Sequence, residues 1–519
     1  MNFEIIFVLL VLAGMIVALI WDGLRPGIVL LTVVVLFLCA GILTPKEMLE
    51  GFSNKGMITV GMLFLVSEGI RQSGALGQLI KKLLPVGKTT VFKAQLRMLP
   101  PIAFVSAFLN NTPVVVIFAP IIKRWAETVK LPATKFLIPL SYVTILGGIC
   151  TLIGTSTNLV VHGMVLDAGY EGFTMFELGR VGIFIALAGI IYLFVFSSKL
   201  LPDSRADRYE EEDEDGTPGN LHRVEAVLGS RFPGINKTLG EFNFTRHYGA
   251  IVKEVKSGGQ RFTRDLDKVM LHEGDTLVLW ADDTFVPTWG ESSVFLLLAN
   301  GSDRTGSESV SRKKRWLALG LLIFMIVGAT LGELPAVKEA LPEIRLDMFF
   351  FVCITTVIMA WTKIFPPKKY TKYISWDILM TIACAFAISK AMENSGFAML
   401  IASQIISMSS SLGPYALLAI LFIITNIFTE LVTNNAAAAL SFPIALSVAM
   451  QLGVDPTPFF VVICMAASAS FTTPIGYQTN LIVQGIGSYK FTDFVKIGLP
   501  LNIITFLISV FLIPMIWKF

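Results

Sequence analysis

The chain has 519 residues, of which 54% are hydrophobic and only 15% are charged. A soluble domain carries about 25% charged residues, so this composition excludes a water-soluble enzyme and indicates an integral membrane protein. The net charge of +3 comes from 41 basic and 38 acidic residues. Because the basic residues are spread over many loops, they offer no binding surface for nucleic acid.

Apolar runs close to the ~20 residues that a helix needs to cross a bilayer recur along the chain. They predict spans at 5–21, 27–43, 57–76, 136–165, 181–200, 316–333, 346–363, 377–393, 458–486 and 497–517. Two further apolar stretches, 97–122 and 420–446, are interrupted near the middle by Asn110–Pro113 and by Thr433–Asn435. Irregular backbone at membrane depth is tolerated only where it is buried in protein or lines a water-filled cavity. Both stretches are therefore predicted to be re-entrant hairpins.

Residues 201–315 interrupt this pattern with soluble sequence. They divide into an acidic linker at 201–222, a compact domain at 223–300, called the insert below, and a basic linker at 301–315. The sequence of the insert predicts strands at Arg223–Leu228, Ala250–Val255 and Thr276–Trp280, with turns at Ser257–Gly259 and Glu273–Asp275. The basic cluster Arg312–Arg315 abuts the next span, which places the insert in the cytoplasm.

An internal repeat relates two predicted membrane halves, 1–200 and 316–519. The segment Thr151–Gly163 matches Thr473–Gly485 at an offset of 322 residues (473 minus 151). These matched segments lie in two predicted broken helices, at 136–165 and 458–486. The hairpin tips keep nearly the same offset, since Asn111 corresponds to Asn434.

Charge placement predicts that the second copy is inverted. Residues 75–97 carry Lys81, Lys82, Lys88, Lys93 and Arg97, whereas the matching residues 397–419 carry no Lys or Arg. By the positive-inside rule, the first of these segments faces the cytoplasm and the second faces outside. Inverted repeats with interrupted helices predict a secondary transporter whose site lies near the midplane of the membrane.

The hairpin tips (110–112 and 433–435) and the Gly-containing breaks (154–158 and 476–480) carry the candidate chemistry. A sodium ion must exchange its hydration shell for oxygen ligands, which unwound carbonyls and Asn, Ser and Thr side chains supply without a fixed charge. Helix N-termini attract an anionic substrate. Alternatively, the Asn and Thr side chains only hydrogen-bond packed helices together. Their symmetric recurrence favours an ion site.

At these residues the sequence resembles the divalent anion:sodium symporter (DASS) family of the ion transporter superfamily. The resemblance implies an elevator-type mechanism and a homodimer in the plasma (inner) membrane. It implies sodium binding by Ser106, Asn110, Asn111 and Gly154 in the first half, and by Thr429, Val432 (through its carbonyl), Asn434 and Gly476 in the second. It implies substrate binding by Asn111, Thr112, Thr155, Asn434, Asn435 and Tyr477.

The sequence departs from the family pattern at the tips and at the second break. Asn110 and Thr433 stand where Ser is usual, and Asn435 stands where Thr is usual. Tyr477 and Gln478 make the second break bulkier than the first. These changes favour an anion smaller than a C4-dicarboxylate.

The insert resembles the TrkA-C (RCK C-terminal) domain in the segments Val227–Glu241, Tyr248–Lys256 and Leu271–Trp280. That resemblance implies either a dimerisation role or the binding of a small regulatory ligand such as a nucleotide, and it favours neither. The insert also resembles that of sulfate carriers in the family, which favours sulfate.

The combined prediction is an α-helical polytopic membrane protein with two inverted repeats and a small α/β cytoplasmic domain. Its predicted function is sodium-coupled symport of a small divalent anion, with sulfate favoured. Dicarboxylate symport and anion exchange are the alternatives. A gated channel is less favoured because no TVGYG-like filter is present. The sequence lacks Walker A, GxSxG and HExxH motifs, so no enzyme is predicted.

Overall fold

The computed structural model describes residues 3–21, 24–203, 221–229, 231–282, 284–290, 294–300, 312–340, 344–409 and 413–519. Residues 204–220 of the predicted acidic linker and 301–311 of the basic linker lie outside the described residues.

The first membrane half consists of helices whose apolar residues pack into one continuous core. In chain order these helices are α1 (Phe3–Trp21), α2 (Pro26–Cys39), α3 (Pro45–Glu50), α4 (Lys55–Gln72), α5 (Ala75–Leu83), α6 (Val91–Ser106), α7 (Asn111–Thr128), α8 (Thr134–Gly148), α9 (Ser156–Asp167) and α10 (Gly179–Leu200). Local sequence sets their ends. Asn54 caps α4 by accepting hydrogen bonds from the backbone N–H groups of Gly56 and Met57. Gly74 follows α4 with a φ of 69°, a left-handed conformation that glycine adopts readily.

The insert is an antiparallel sheet covered by short helices. Its strands are β1 (His222–Leu228), β2 (Ile251–Ser257), β3 (Gln260–Phe262), β4 (Thr276–Ala281) and β5 (Phe295–Asn300), in the spatial order β3-β2-β4-β1-β5. Its short helices are α11 (Leu239–Phe242), α12 (Phe244–Tyr248) and α13 (Phe285–Trp289). The predicted segments correspond to β1, β2 and β4. The sequence analysis missed β3, which has only three residues, and β5, whose apolar run lacks the alternation that marks a half-buried strand.

The second membrane half follows the insert. Its helices are α14 (Arg312–Gly332), α15 (Pro335–Ala340), α16 (Met348–Trp361), α17 (Trp376–Asn394), α18 (Phe397–Ser409), α19 (Gly413–Leu431), α20 (Asn434–Leu452), α21 (Thr457–Ser468), α22 (Gln478–Gly487) and α23 (Phe491–Ile516). The helices α17–α23 occur in the same order as α4–α10. The bounds of α16 lie 322 residues beyond those of α2 at both ends.

Membrane-spanning character is evident in the helices themselves. Among the described residues, six helices are long and apolar enough to cross a membrane by length and composition. This agrees with the prediction of a polytopic helical membrane protein. The segment at 97–122 is part of the longer pair α6 and α7, and that at 420–446 is part of α19 and α20, because each helix continues past the apolar run that hydropathy detects.

The two breaks lie slightly earlier in the chain than expected. The backbone leaves the helical conformation at 149–155 and at 469–477, so the predicted break residues 156–158 and 478–480 form the first turns of α9 and α22. Thr155 and Tyr477 immediately precede these helices with extended backbone conformations.

Candidate transport site

The N-termini of four helices line one cavity between the two membrane halves. The cavity has a volume of about 370 Å³. Its wall includes residues from the starts of α7, α9, α20 and α22: Asn110, Thr112, Ser156, Thr157, Thr433, Asn434, Asn435, Tyr477 and Gln478. Neither Asn110 nor Tyr477 caps its helix through a side-chain hydrogen bond. The wall therefore combines amide and hydroxyl groups with the partial positive charge of helix N-termini.

In the first half, the hairpin tip is bonded to the neighbouring helix leg and lies against the break. The Ser106 hydroxyl donates a hydrogen bond to Asn111 Oδ1 over 2.7 Å, and both side chains are fully buried. A side chain at Gly148 would place its Cβ 2.7 Å from Asn111 Oδ1 and 3.2 Å from the carbonyl oxygen of Gly154. Asn111 Oδ1 and the Gly154 carbonyl oxygen therefore both lie close to Gly148.

The second half repeats this arrangement. The Thr429 hydroxyl lies 2.8 Å from Asn434 Oδ1. A side chain at Gly476 would place its Cβ 2.5 Å from the carbonyl oxygen of Thr429 and would clash with the Ser470 hydroxyl. Ser106 and Asn111 precede Thr429 and Asn434 by the same 323 residues, so the two hydrogen bonds are equivalent. Ser470 was not predicted as a site residue.

Each break is also held by equivalent hydrogen bonds. Gly154 N–H donates to the Thr151 hydroxyl over 3.2 Å, and Gly476 N–H donates to the Thr473 hydroxyl over 3.3 Å. The following asparagine fixes the same loop from the other side. Asn158 Nδ2 donates to the Thr151 carbonyl, and Asn480 Nδ2 donates to that of Thr473. The matched TxxG and TN segments therefore build the breaks.

The tip of each hairpin bonds to the other half, at the break or at the first turn of the helix that follows it. Asn111 Nδ2 donates to the Tyr477 hydroxyl over 2.6 Å, and Thr155 Oγ1 lies 3.3 Å from the same hydroxyl. On the other side, Asn435 Oδ1 accepts hydrogen bonds from Ser156 and Thr157, each over 3.3 Å. Tyr477 consequently bridges the two halves. Its ring is also larger than the side chain of Thr155, the equivalent residue of the first break.

The structure distributes the predicted substrate residues over two layers. Thr112, Asn434, Asn435 and Tyr477 line the cavity. Asn111 and Thr155 are buried and contact the Tyr477 hydroxyl, so they lie behind the wall. The predicted sodium ligand Asn110 lines the cavity, and Val432 is buried at the second tip.

Four residues that lie within the predicted tips and breaks, but were not assigned to sodium or substrate, also line the cavity: Ser156, Thr157, Thr433 and Gln478. The repeat contained the signal for Thr433, since it corresponds to the predicted sodium ligand Asn110. Farther from the tips the wall includes Arg71, which forms an ion pair with Glu68 over 2.6 Å.

Glu430 supports the second break in a way that has no counterpart in the first half. Its carboxylate accepts hydrogen bonds from the N–H groups of Thr472 and Thr473, over 2.9 and 2.8 Å. It also accepts one from Asn502 of α23 over 2.8 Å. The equivalent residue of the first half is Ala107. Glu430 is therefore a positioning residue for the second break.

Comparison with known proteins now identifies the family. The profile of the family described as citrate transporter matches residues 16–353 and 343–519. The chain belongs to the citrate transporter family. It is 30% identical to the uncharacterized transporter sll0640 of Synechocystis sp., over 99% of this chain and 98% of that protein.

Other relatives link this citrate transporter family member to sodium-coupled anion carriers. The chain is 22% identical to sodium/sulfate cotransporter 2 of Chlamydomonas reinhardtii, over 97% of this chain and 88% of that protein. It is 26% identical to the transporter YfbS of Escherichia coli over the full length of both. The resemblance to divalent anion:sodium symporters is therefore supported at the level of a sodium-coupled anion transporter.

Proposed function

We propose that this protein is a secondary active symporter that couples sodium to the uptake of a small divalent anion, with sulfate as the favoured substrate. The observation that carries the proposal is the convergence of four helix N-termini on a cavity lined by amide and hydroxyl groups. Such termini bind anions through their N–H groups and their dipoles. The buried oxygen clusters at Ser106–Asn111 and Thr429–Asn434 are the proposed sodium sites.

Two observations favour sulfate over a dicarboxylate. Tyr477 reaches across the cavity wall to Asn111 and narrows the site relative to a break that carries Thr at this position. A relative that spans nearly the whole chain is named a sodium/sulfate cotransporter. Dicarboxylate symport remains the alternative because the family is described as citrate transporter and a cavity of about 370 Å³ is in the size range of small-molecule sites.

The proposed mechanism is alternating access of the elevator type. The hairpins and broken helices form one side of the cavity, and Phe64 of α4 and Ile378 of α17 lie on its wall with them. The proposed moving unit is α6–α10 with α19–α23, and the proposed scaffold contains α4 and α17. Lys and Arg in 75–97 and 312–315 support a cytoplasmic insert. A homodimer in the plasma membrane is proposed from the family resemblance alone.

The test is uptake of radiolabelled sulfate and succinate into proteoliposomes. Each anion is offered with an inward sodium gradient and, separately, with a potassium or choline gradient. We expect sulfate to accumulate only with the sodium gradient. Succinate accumulation would favour the dicarboxylate alternative. Equal uptake with every cation would contradict sodium coupling and favour exchange.

A further inference from the structure

The insert is fixed to α7 by a charge pair that is largely removed from solvent. Lys123 Nζ lies 2.9 Å from Oε2 of Glu225 in β1, and the two side chains are only 12% and 16% exposed. Lys256 and Arg223 of the insert also face Glu225, at 3.5 and 3.4 Å. Partly buried ion pairs with several partners are far less screened by salt than exposed ones. This cluster of charged residues, called the seat of the insert below, therefore fixes the insert on α7.

A turn of the insert packs directly on α22, the helix that begins at the second break. A side chain at Gly485 would place its Cβ 2.5 Å from the Gly274 carbonyl oxygen and 2.6 Å from the Thr276 hydroxyl. On the preceding turn of the helix, Leu481 Cβ would lie 3.6 Å from the Cβ of a side chain placed at Gly274. The turn at 273–275 therefore covers one face of α22 at backbone contact.

The equivalent face of α9 has a different partner. Gly163 corresponds to Gly485 in the repeat. A side chain there would place its Cβ 2.5 Å from Oδ1 of Asn54, the residue that caps α4. Asn54 Nδ2 also donates to Asp167 Oδ2 at the end of α9, over 2.7 Å. In the first half, this face is thus packed on α4, which belongs to the proposed scaffold.

In the second half, the scaffold residues equivalent to those that contact α9 lie at the start of α17, on the wall of the cavity. The position that corresponds to Asn54 is Trp376, the first residue of α17. Its neighbours Ser375 and Ile378 line the cavity, as do Gly290, Phe295 and Leu296 of the insert. The start of α17 does not pack closely on α22, in contrast to α4 on α9. The insert borders the same cavity as these α17 residues.

We propose that the insert is a lock that holds the transporter open on the insert side, because its turn at 273–275 occupies the face of α22 that α17 must reach when this side closes. The inference rests on the proposed alternating access and on the relation between the two halves. In the opposite state, α22 would pack on the start of α17 as α9 now packs on the start of α4. The turn and α17 cannot occupy that face together, so the insert must leave α22 in each cycle.

The test weakens the seat on α7 and follows closure of the insert side. The variant is Lys123→Ala, which leaves Glu225 with its two partners inside the insert. Arg124→Ala is the matched control, since it removes the same charge from the next residue of the same helix. Closure is read from a cysteine at Ser375, a cavity residue whose side chain does not cap α17. Cys39 is exposed and is replaced by Ser in every variant.

Inside-out membrane vesicles are treated with a membrane-impermeant maleimide. We expect Lys123→Ala to slow labelling of the Ser375→Cys thiol and to raise the rate of sulfate uptake severalfold, because a charge-assisted contact shifts such an equilibrium by about tenfold. Arg124→Ala should change neither. A short thiol cross-linker between Lys123→Cys and Glu225→Cys, without the reporter cysteine, should stop uptake until it is reduced.

Unchanged labelling in Lys123→Ala would overturn the lock, and so would full uptake by the cross-linked protein. If Lys123→Ala does not insert into the membrane, the cross-link decides alone. Labelling requires no transported anion, so the two proposals fail separately. Absence of sulfate and succinate uptake in the unaltered protein, together with slowed labelling in Lys123→Ala, would refute the proposed substrates and leave the lock supported.

Discussion

The two breaks share their scaffold of hydrogen bonds and differ in the residues that face the cavity. Thr151, Gly154 and Asn158 build the first break as Thr473, Gly476 and Asn480 build the second. At the position after the glycine, Thr155 of the first break lies behind the cavity wall, whereas its counterpart in the second break, Tyr477, lines the cavity. The repeat thus keeps the residues that shape the backbone and varies those that can set substrate size.

The support of the two breaks differs as well. The Glu430 carboxylate accepts hydrogen bonds from two N–H groups of the second break. Ala107, its counterpart in the first half, accepts a hydrogen bond from the first break only through its backbone carbonyl, to which the Thr151 hydroxyl donates. A larger side chain at Tyr477 and an added acceptor at Glu430 occur in the same half. We interpret them as linked changes, in which the bulkier break requires a stronger anchor.

The largest loss of transport is expected from substitutions at the hairpin tips, where the two halves are alike. Asn111→Ala and Asn434→Ala each remove an oxygen that accepts a buried hydroxyl hydrogen bond at a proposed sodium site. Mutation of a residue that only orients a metal ligand typically lowers affinity by about tenfold to a hundredfold, and loss of a ligand should cost at least as much. We expect sodium-driven sulfate uptake to be abolished at ordinary sodium concentrations, with membrane insertion unchanged. Asn394→Ala, which removes an amide outside the site, is the control, and normal uptake in both site variants would refute the assignment.

A smaller loss of transport is expected on substitution of Glu430, whose counterpart in the first half is Ala107. Glu430→Gln keeps the shape of the side chain but replaces one acceptor oxygen with a donor that faces backbone N–H groups. Hydrogen bonds to a charged group contribute about 1.5–3 kcal/mol, so uptake should fall by at least roughly tenfold. A positioning role predicts that the sodium concentration for half-maximal uptake rises. If only the amount of folded protein falls, Glu430 has a general structural role instead.

The specificity of the second break is tested by making it resemble the first. Tyr477→Thr opens the space that the phenol ring fills and removes the hydrogen bond to Asn111. We expect sulfate affinity to fall severalfold and succinate uptake to appear. Tyr477→Phe is the matched control because it keeps the ring and loses only the hydroxyl. Succinate uptake that stays absent in Tyr477→Thr would show that ring size does not set the substrate.

The sequence predicts local features of this molecule well. Polar tips, Gly-containing breaks and three strands of the insert follow from patterns within a few residues, because capping, turn formation and alternation are local effects. The repeat also predicts which residues are equivalent, as Ser106 and Thr429 illustrate. It does not predict which distant surfaces meet.

Three contacts illustrate what local patterns leave out. Tyr477 bonds to Asn111 of the other half, and Glu430 bonds to Asn502 on α23. Gly485 reads in the sequence only as a weak helix former, yet the structure needs glycine there because the backbone of the insert touches α22. Each contact joins residues that are far apart in the chain, and it depends on tertiary packing that no periodicity encodes.

The smallest effect is expected from a change of pH on the contact between the insert and α22, a contact that α9 lacks. Burial alone would raise the pKa of the Glu225 carboxyl, but the charges of Lys123, Lys256 and Arg223 hold it well below its usual range. A carboxyl whose pKa is lowered by folding contributes stability that is complete above the ordinary carboxyl pKa and is lost as the pH falls from there through the lowered pKa. The seat of the insert on α7 should therefore not change between pH 5.5 and 8. We expect the labelling rate of the Ser375→Cys thiol, normalised to a free thiol at each pH, to be constant over this range. Glu225→Gln mimics the protonated carboxyl and should slow labelling at every pH, so a normalised rate that falls on acidification would show that a group other than Glu225 controls the contact with α22.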